Sequence, residues 1–113
     1  LAYYNELPEM NHNEIVGWQN NYNLMNKISI IWLKDKSDHP RTTIRQSSTK
    51  KIINNLASGH QIVKVEGSTK VERYLNMIHL GDWVSFWCAI LHETDPTPVN
   101  KIDKLKELLS KKS

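Results

Sequence analysis

The run Ile28-Ser29-Ile30-Ile31-Trp32-Leu33, nearly unbroken in its apolar character and closed by Lys27 and Lys34, constrains the fold more than any other stretch. A run this short is a strand rather than a helix, and its lack of polar alternation is the signature of a strand buried on both faces, as in parallel sheets. A second strand is expected at His60–Glu66, with partial alternation. Between them, residues 41–56 carry Ile44, Ile52, Ile53 and Leu56 at helical spacing, with Gly59 as a C-terminal stop. Strand, helix and strand in this order imply a right-handed crossover in an α/β domain.

The flanks extend the pattern. Leu1–Tyr4 reads as the end of a strand, followed by a loop through Pro8 and a helix from about Asn13 that fades at Gln19-Asn20-Asn21 into an Asn-rich linker reaching Lys27. After the Gly67-Ser68 turn, with Ser68 as cap, Val71, Leu75, Ile78, Trp83, Phe86, Trp87 and Ile90 predict the buried face of a long helix. Gly81 weakens that helix by roughly 1 kcal/mol relative to alanine unless it permits a close contact. Asp82, set among apolar residues, is expected to be a buried structural acid with a hydrogen-bonding partner. Asp95-Pro96-Thr97-Pro98 breaks the chain. Val99, Ile102, Leu105, Leu108 and Leu109 then form the stripe of an amphipathic helix ending in Lys111 and Lys112. Two convincing strands and a stub make a thin parallel sheet, so the chain is expected to belong to a larger protein or to complete itself by association.

A length of 113 residues allows one domain at most, and 39% hydrophobic content suffices for a core. The 15 Lys and Arg nearly balance the 12 Asp and Glu, leaving +3, too little for a nucleic-acid partner. Cys88 is the single cysteine, so no disulfide framework exists and a reducing cytoplasm is the expected compartment. No run has the length of a membrane span, and no signal peptide opens the chain. His39, His60, His79 and His92 lack metal-ligand spacing, so no metal site is expected.

The stretch Asn11-His12-Asn13-Glu14-Ile15-Val16-Gly17-Trp18 carries the most chemistry. Asn11 is a good helix N-cap, Glu14 stands three residues on where a carboxylate reaches free N–H groups, and Ile15, Val16 and Trp18 would be the first buried residues. By itself this is a capped helix that carries a histidine. Histidine is also the side chain that exchanges protons near neutrality. Arg41 and Arg45 share a helix face at an N-terminal end, where anions are favoured, although solvated charge is the better account of them.

Three motifs bear a resemblance: Glu6-Leu7-Pro8-Glu9 leading into Asn11–Ile15; Leu80-Gly81-Asp82-Trp83-Val84-Ser85; and Asp95-Pro96-Thr97-Pro98-Val99 with Ile102, Asp103, Leu105 and Lys106. His39-Pro40-Arg41 with Arg45, and Glu66-Gly67-Ser68, add to them. In this order they resemble the C-terminal sugar isomerase (SIS) domain of the bifunctional phosphoglucose/phosphomannose isomerases of archaea and bacteria. The resemblance implies a three-layer, parallel-sheet, flavodoxin-like α/β domain, present here in part across residues 1–113 and ending in two helices.

It further implies conversion of glucose 6-phosphate and mannose 6-phosphate to fructose 6-phosphate through an enediol, without metal or organic cofactor, in a homodimer whose site uses two SIS domains. The ring-opening histidine falls on His12 and a C-terminal threonine on Thr97. The lysine that assists ring opening falls on Lys104, or on Lys106 if the register slips. Asn11 and Glu14 flank His12 on the substrate side, with Glu14 in a capping or supporting role, since residues two apart on a helix face different ways. The glutamate base of the family lies ahead of Glu6-Leu7-Pro8, outside this chain, as does the N-terminal SIS domain. By spacing alone, Lys104 and Lys106 are solvated charges of an amphipathic helix. A non-catalytic sugar-phosphate-binding or dimerisation domain of the same fold is the alternative.

Overall fold

The computed structural model describes residues 2–18 and 22–111. A 3-10 turn at Glu9–Asn11 precedes helices α1 (Glu14–Gly17) and α2 (Tyr22–Met25). They are followed by β1 (Ser29–Lys34), α3 (Pro40–Ile53), β2 (Gly59–Lys64), α4 (Lys70–Leu91) and α5 (Asn100–Ser110). The chain divides into two compact units, Leu1–Asn76 and Met77–Ser113, with the boundary inside α4.

In the first unit β1 and β2 pair in parallel, Ser29 opposite Gly59 through Lys34 opposite Lys64, joined by α3 as the crossover. The chain is α/β, as its periodicity requires. Pro40 occupies the first turn of α3, where its missing N–H costs nothing, and the His39 imidazole accepts from the Arg41 N–H at 3.2 Å. The helix ends at Ile53 with Asn54 as C-cap. Gly59 is therefore no helix stop but the first residue of β2.

One face of the sheet meets a small core of Met10, Trp18, Trp32 and Ile53, with Leu7, Ile15, Met25, Ile30, Leu56 and Ala57 packed around it. Ile53 is 0% and Trp32 6% exposed. The Trp32 indole Nε1 donates to His60 Nδ1 at 3.0 Å, so a neutral His60 carries its proton on Nε2. On the other face Ile31 and Leu33 remain 54% and 49% exposed, so β1 is buried on one face only. Ile44 and Ile52, expected in the core, also face outward, and Thr49 takes the inward place at 2% exposure. Ala2–Glu6 form no strand and α2 replaces part of the expected linker. Leu1 and Gln19-Asn20-Asn21 lie outside the described residues.

The loops leaving β1 and β2 are fastened together. The Arg73 guanidinium donates to Asp35 Oδ2 at 2.6 Å and Oδ1 at 3.1 Å, and Asp35 Oδ1 accepts the Ser37 N–H at 2.7 Å. Lys36 Nζ donates to the Gly67 carbonyl at 3.0 Å and Asn76 Nδ2 to the Glu66 carbonyl at 2.9 Å. The Arg73 side chain beside Asp35, then the Ser37 donors, hold the Asp35 carboxyl well below the usual carboxylate range. A depressed folded value means that the pair stabilises the fold above the unfolded pKa of about 3.9 and loses this contribution as pH falls toward the folded value. The stability difference between wild type and Asp35→Asn should therefore be flat above about pH 5 and shrink below about pH 4. Urea unfolding across that range measures it, and a difference that does not change in acid would mean that the Asp35 charge is not what the fold uses.

The start of α4 is a reciprocal cap. Thr69 Oγ1 accepts from the Glu72 N–H at 3.1 Å, while Glu72 Oε2 accepts from the N–H groups of Ser68 at 2.7 Å and Thr69 at 3.4 Å. Thr69, not Ser68, supplies the capping hydroxyl. The helix closes with Glu93 in the left-handed region (φ 52°), and the Thr94 N–H bonds the Ala89 carbonyl at 2.9 Å.

In the second unit the expected helices are present, but their apolar faces are bare. Trp83, Phe86, Trp87 and Ile90 of α4 and Ile102, Leu105, Leu108 and Leu109 of α5 are all exposed, as are Val71, Leu75 and Ile78 in the first unit's part of α4. Trp83, Phe86 and Trp87 stack edge to face, at 5.8 and 5.5 Å between ring centroids. Asp82 is exposed rather than buried, since it lies on the same uncovered helix; its backbone carbonyl accepts from the Ser85 hydroxyl at 2.8 Å. A Cβ at Gly81 would meet nothing within 4 Å, so no close packing among the described residues explains this glycine.

Candidate functional site

The backbone around His12 is set by the turn before it. The N–H groups of Met10, Asn11 and His12 bond the carbonyls of Glu6 (2.9 Å), Pro8 (2.8 Å) and Glu9 (3.0 Å). This winding buries Met10 and turns Asn11 inward, where its Nδ2 donates to Thr49 Oγ1 of α3 at 2.7 Å. Asn11 is thus not the N-cap of α1; Asn13 holds that place without a side-chain cap bond. Among the described residues Glu14 reaches no free backbone N–H and instead accepts from the Trp18 indole at 3.4 Å. Trp18 is buried as expected and Ile15 half-buried, but Val16 is 63% exposed, because the four-residue helix presents only one side to the core.

His12 itself projects from this anchored segment and is exposed. Among the described residues its ring makes no hydrogen bond, so the ring nitrogens are open to hydrogen bonds from or to a ligand. Beside the segment a shallow groove of about 330 Å³ is lined by Asn11, Ile15, Ile44, Arg45, Ser48 and Thr49. Asn11 Oδ1 is buried and has no partner among the described residues. An unpaired buried acceptor is costly and is satisfied when a hydroxyl or N–H enters. Arg45 supplies a cation at the same groove, a role its helix position hinted at. Thr49, the anchor of Asn11, was invisible in the sequence because a threonine inside a helix gives no sign of a partner thirty-eight positions away.

The other candidates belong to the second unit. Thr97 lies in the turn before α5, its N–H donating to Asp95 Oδ1 at 2.9 Å. That bond holds the Asp95 carboxyl below its ordinary value. Val99 is the N-cap of α5, so Thr97 is not a helix cap. Lys104 and Lys106 are exposed on α5, and residues two apart point to different sides of a helix, so one register alone can serve a single site. Asn11, His12 and Glu14 thus share the first unit, and Thr97, Lys104 and Lys106 the second. Among the described residues no group of three or more His, Cys, Asp or Glu is placed to hold a metal ion, and no helix is long and apolar enough to cross a membrane.

A parallel β-α-β unit followed by a long apolar helix makes this chain a partial α/β domain. The profile of the bacterial phospho-glucose isomerase C-terminal SIS domain matches residues 1–109, and the chain belongs to that family. It is 41% identical over 109 residues to a bifunctional phosphoglucose/phosphomannose isomerase of Caldicellulosiruptor bescii, covering 96% of this chain and 32% of the relative. It is also 42% identical over 110 residues to one of Aquifex aeolicus, covering 97% and 34%. A third relative of the same name, from Thermoplasma volcanium, is 34% identical over 107 residues, covering 95% and 33%. The chain thus spans about a third of the length of these curated relatives. No solved structure matches it.

Proposed function

We propose that this chain is the C-terminal SIS domain of a two-domain, cytoplasmic, homodimeric isomerase that converts glucose 6-phosphate and mannose 6-phosphate to fructose 6-phosphate. The observation that carries the reading is the identity of 41% and 42%, over nearly the whole chain, to relatives named for both activities. The exposed His12 on its anchored turn supports it.

In this reading His12 gives a proton to the ring oxygen while Lys104, or Lys106 in the alternative register, takes the proton of the anomeric hydroxyl, opening the ring. Asn11 and Glu14 fix the segment that presents His12: Asn11 through Thr49, Glu14 through Trp18. A carboxylate supplied from outside this chain then moves a proton between the first two carbons through an enediol. The two aldose phosphates differ only at the second carbon and share that enediol, so one base serves both if the intermediate can turn to present either face.

Thr97, small and hydroxylic, leaves room for that turn, whereas a long amide would fill it. Thr97→Gln in the intact protein is expected to lower mannose 6-phosphate turnover much more than glucose 6-phosphate turnover, read as the ratio of the two initial rates. An unchanged ratio removes Thr97 from the site. Binding of sugar phosphate without turnover of either substrate by the intact wild type would instead favour a non-catalytic binding or dimerisation domain.

A further inference from the structure

The flank of α3 opposite the Asn11 groove carries a second concavity. It is a cleft of about 420 Å³ between α3 and the sheet, with Trp32 and Ile62 at its floor and Lys34, Lys50 and Lys51 in its lining. It shares no lining residue with the Asn11 groove. The salt bridges formed by the described residues are Arg73–Asp35 and Lys111–Glu107, so none of these three lysines has a carboxylate partner among them. None makes a hydrogen bond there either, and Lys34 and Lys50 are half-buried.

Three lysines that line one cleft with no carboxylate partner among the described residues offer their ammonium groups to an entering anion. The C-terminal dipole of α3 accounts for Lys50 and Lys51 in its last turn. It does not account for Lys34, which comes from the end of β1 and lines the same space. The floor adds selectivity, because Ile62, 44% exposed beside the edge of the largely buried Trp32, presents apolar surface on which a ring or carbon skeleton loses water. A volume of this size falls in the range of small-molecule sites, roughly 300–1,000 Å³.

We propose that this cleft binds a nucleotide-sized organic phosphate, with its phosphates among Lys34, Lys50 and Lys51 and its ring on the Trp32–Ile62 floor. None of the residues that line the cleft is assigned to isomerisation, so its occupancy does not depend on that assignment.

The test is calorimetric titration of the intact protein that carries this chain with ADP in metal-free buffer, and separately with inorganic pyrophosphate. The proposal expects ADP to bind and to be roughly tenfold or more tighter than pyrophosphate, the margin expected from burying a ring. The triple variant Lys34→Gln, Lys50→Gln, Lys51→Gln should bind ADP roughly tenfold or more weakly, with circular dichroism and melting temperature close to wild type. The absence of ADP binding to the intact protein overturns the proposal. So does equal affinity for ADP and pyrophosphate, undiminished binding by the folded triple variant, or displacement of ADP by glucose 6-phosphate with loss of the ADP signal in step with occupancy of the isomerase site.

Discussion

Replacing His12 by alanine in the intact protein is expected to lower turnover of cyclic glucose 6-phosphate by about 10²–10⁴, with a much smaller change in substrate affinity. A proton donor acts in the transition state of ring opening, and its loss is felt in kcat more than in ground-state binding. The segment should survive the change. His12 is exposed, its backbone N–H is already held by Glu9 at 3.0 Å, and the anchoring falls to Met10 and to the Asn11–Thr49 bond. Unfolding midpoints near wild type would therefore accompany the loss of rate. A variant that turns over the cyclic substrate at a near-normal rate would show that another group opens the ring.

Gly67→Ala is expected to destabilise the first unit by about 1–3 kcal/mol, the range for a residue held in a disfavoured backbone region. Gly67 has φ +146°, and an added Cβ would lie 2.8 Å from Arg73 Cγ, 3.1 Å from Arg73 N and 3.2 Å from Glu72 Cγ. Two of these neighbours cannot yield freely. The Arg73 backbone lies in the first turn of α4, and its side chain is committed to Asp35, so relief at Gly67 means loosening that ion pair or the Thr69–Glu72 cap. Denaturant unfolding of the intact protein measures the cost. A loss below about 0.5 kcal/mol, the level of an ordinary surface change, would show that the loop accommodates a side chain and does not clamp Arg73.

Element type was legible wherever the apolar period was long. The Ile28–Leu33 run and the 3.6-residue pattern of 71–90 mark β1 and α4, because burying those residues requires those geometries. Burial itself was not legible. Apolar spacing says which side chains need cover, not whether the same chain provides it, so Ile31, Leu33, Trp83 and Trp87 stand exposed where a core was expected. Caps were misplaced by one or two residues because Asn11 and Asn13, or Ser68 and Thr69, offer the same chemistry, and only the winding of the turn decides between them. The short elements failed for lack of period: Ala2–Tyr4 has strand composition but no neighbouring strand among the described residues, and four residues at Tyr22–Met25 are too few to show a helical face. At the candidate site, the motif singled out the His12 segment as a candidate. The Asn11–Thr49 bond and the open acceptor on Asn11 were not legible, since both depend on α3 packing across the turn.

If this chain serves an isomerase acting on both aldose phosphates, a single site must turn over both. The most direct measurement is a coupled assay of fructose 6-phosphate formation by the purified intact protein, with glucose 6-phosphate and mannose 6-phosphate supplied separately and then together. Turnover of both, with the rate on the mixture lying between the two separate saturated rates as for competition at one site, is the expected result. Saturable binding of the sugar phosphates with no fructose 6-phosphate from either, or turnover of the two at independent, additive rates, would contradict it.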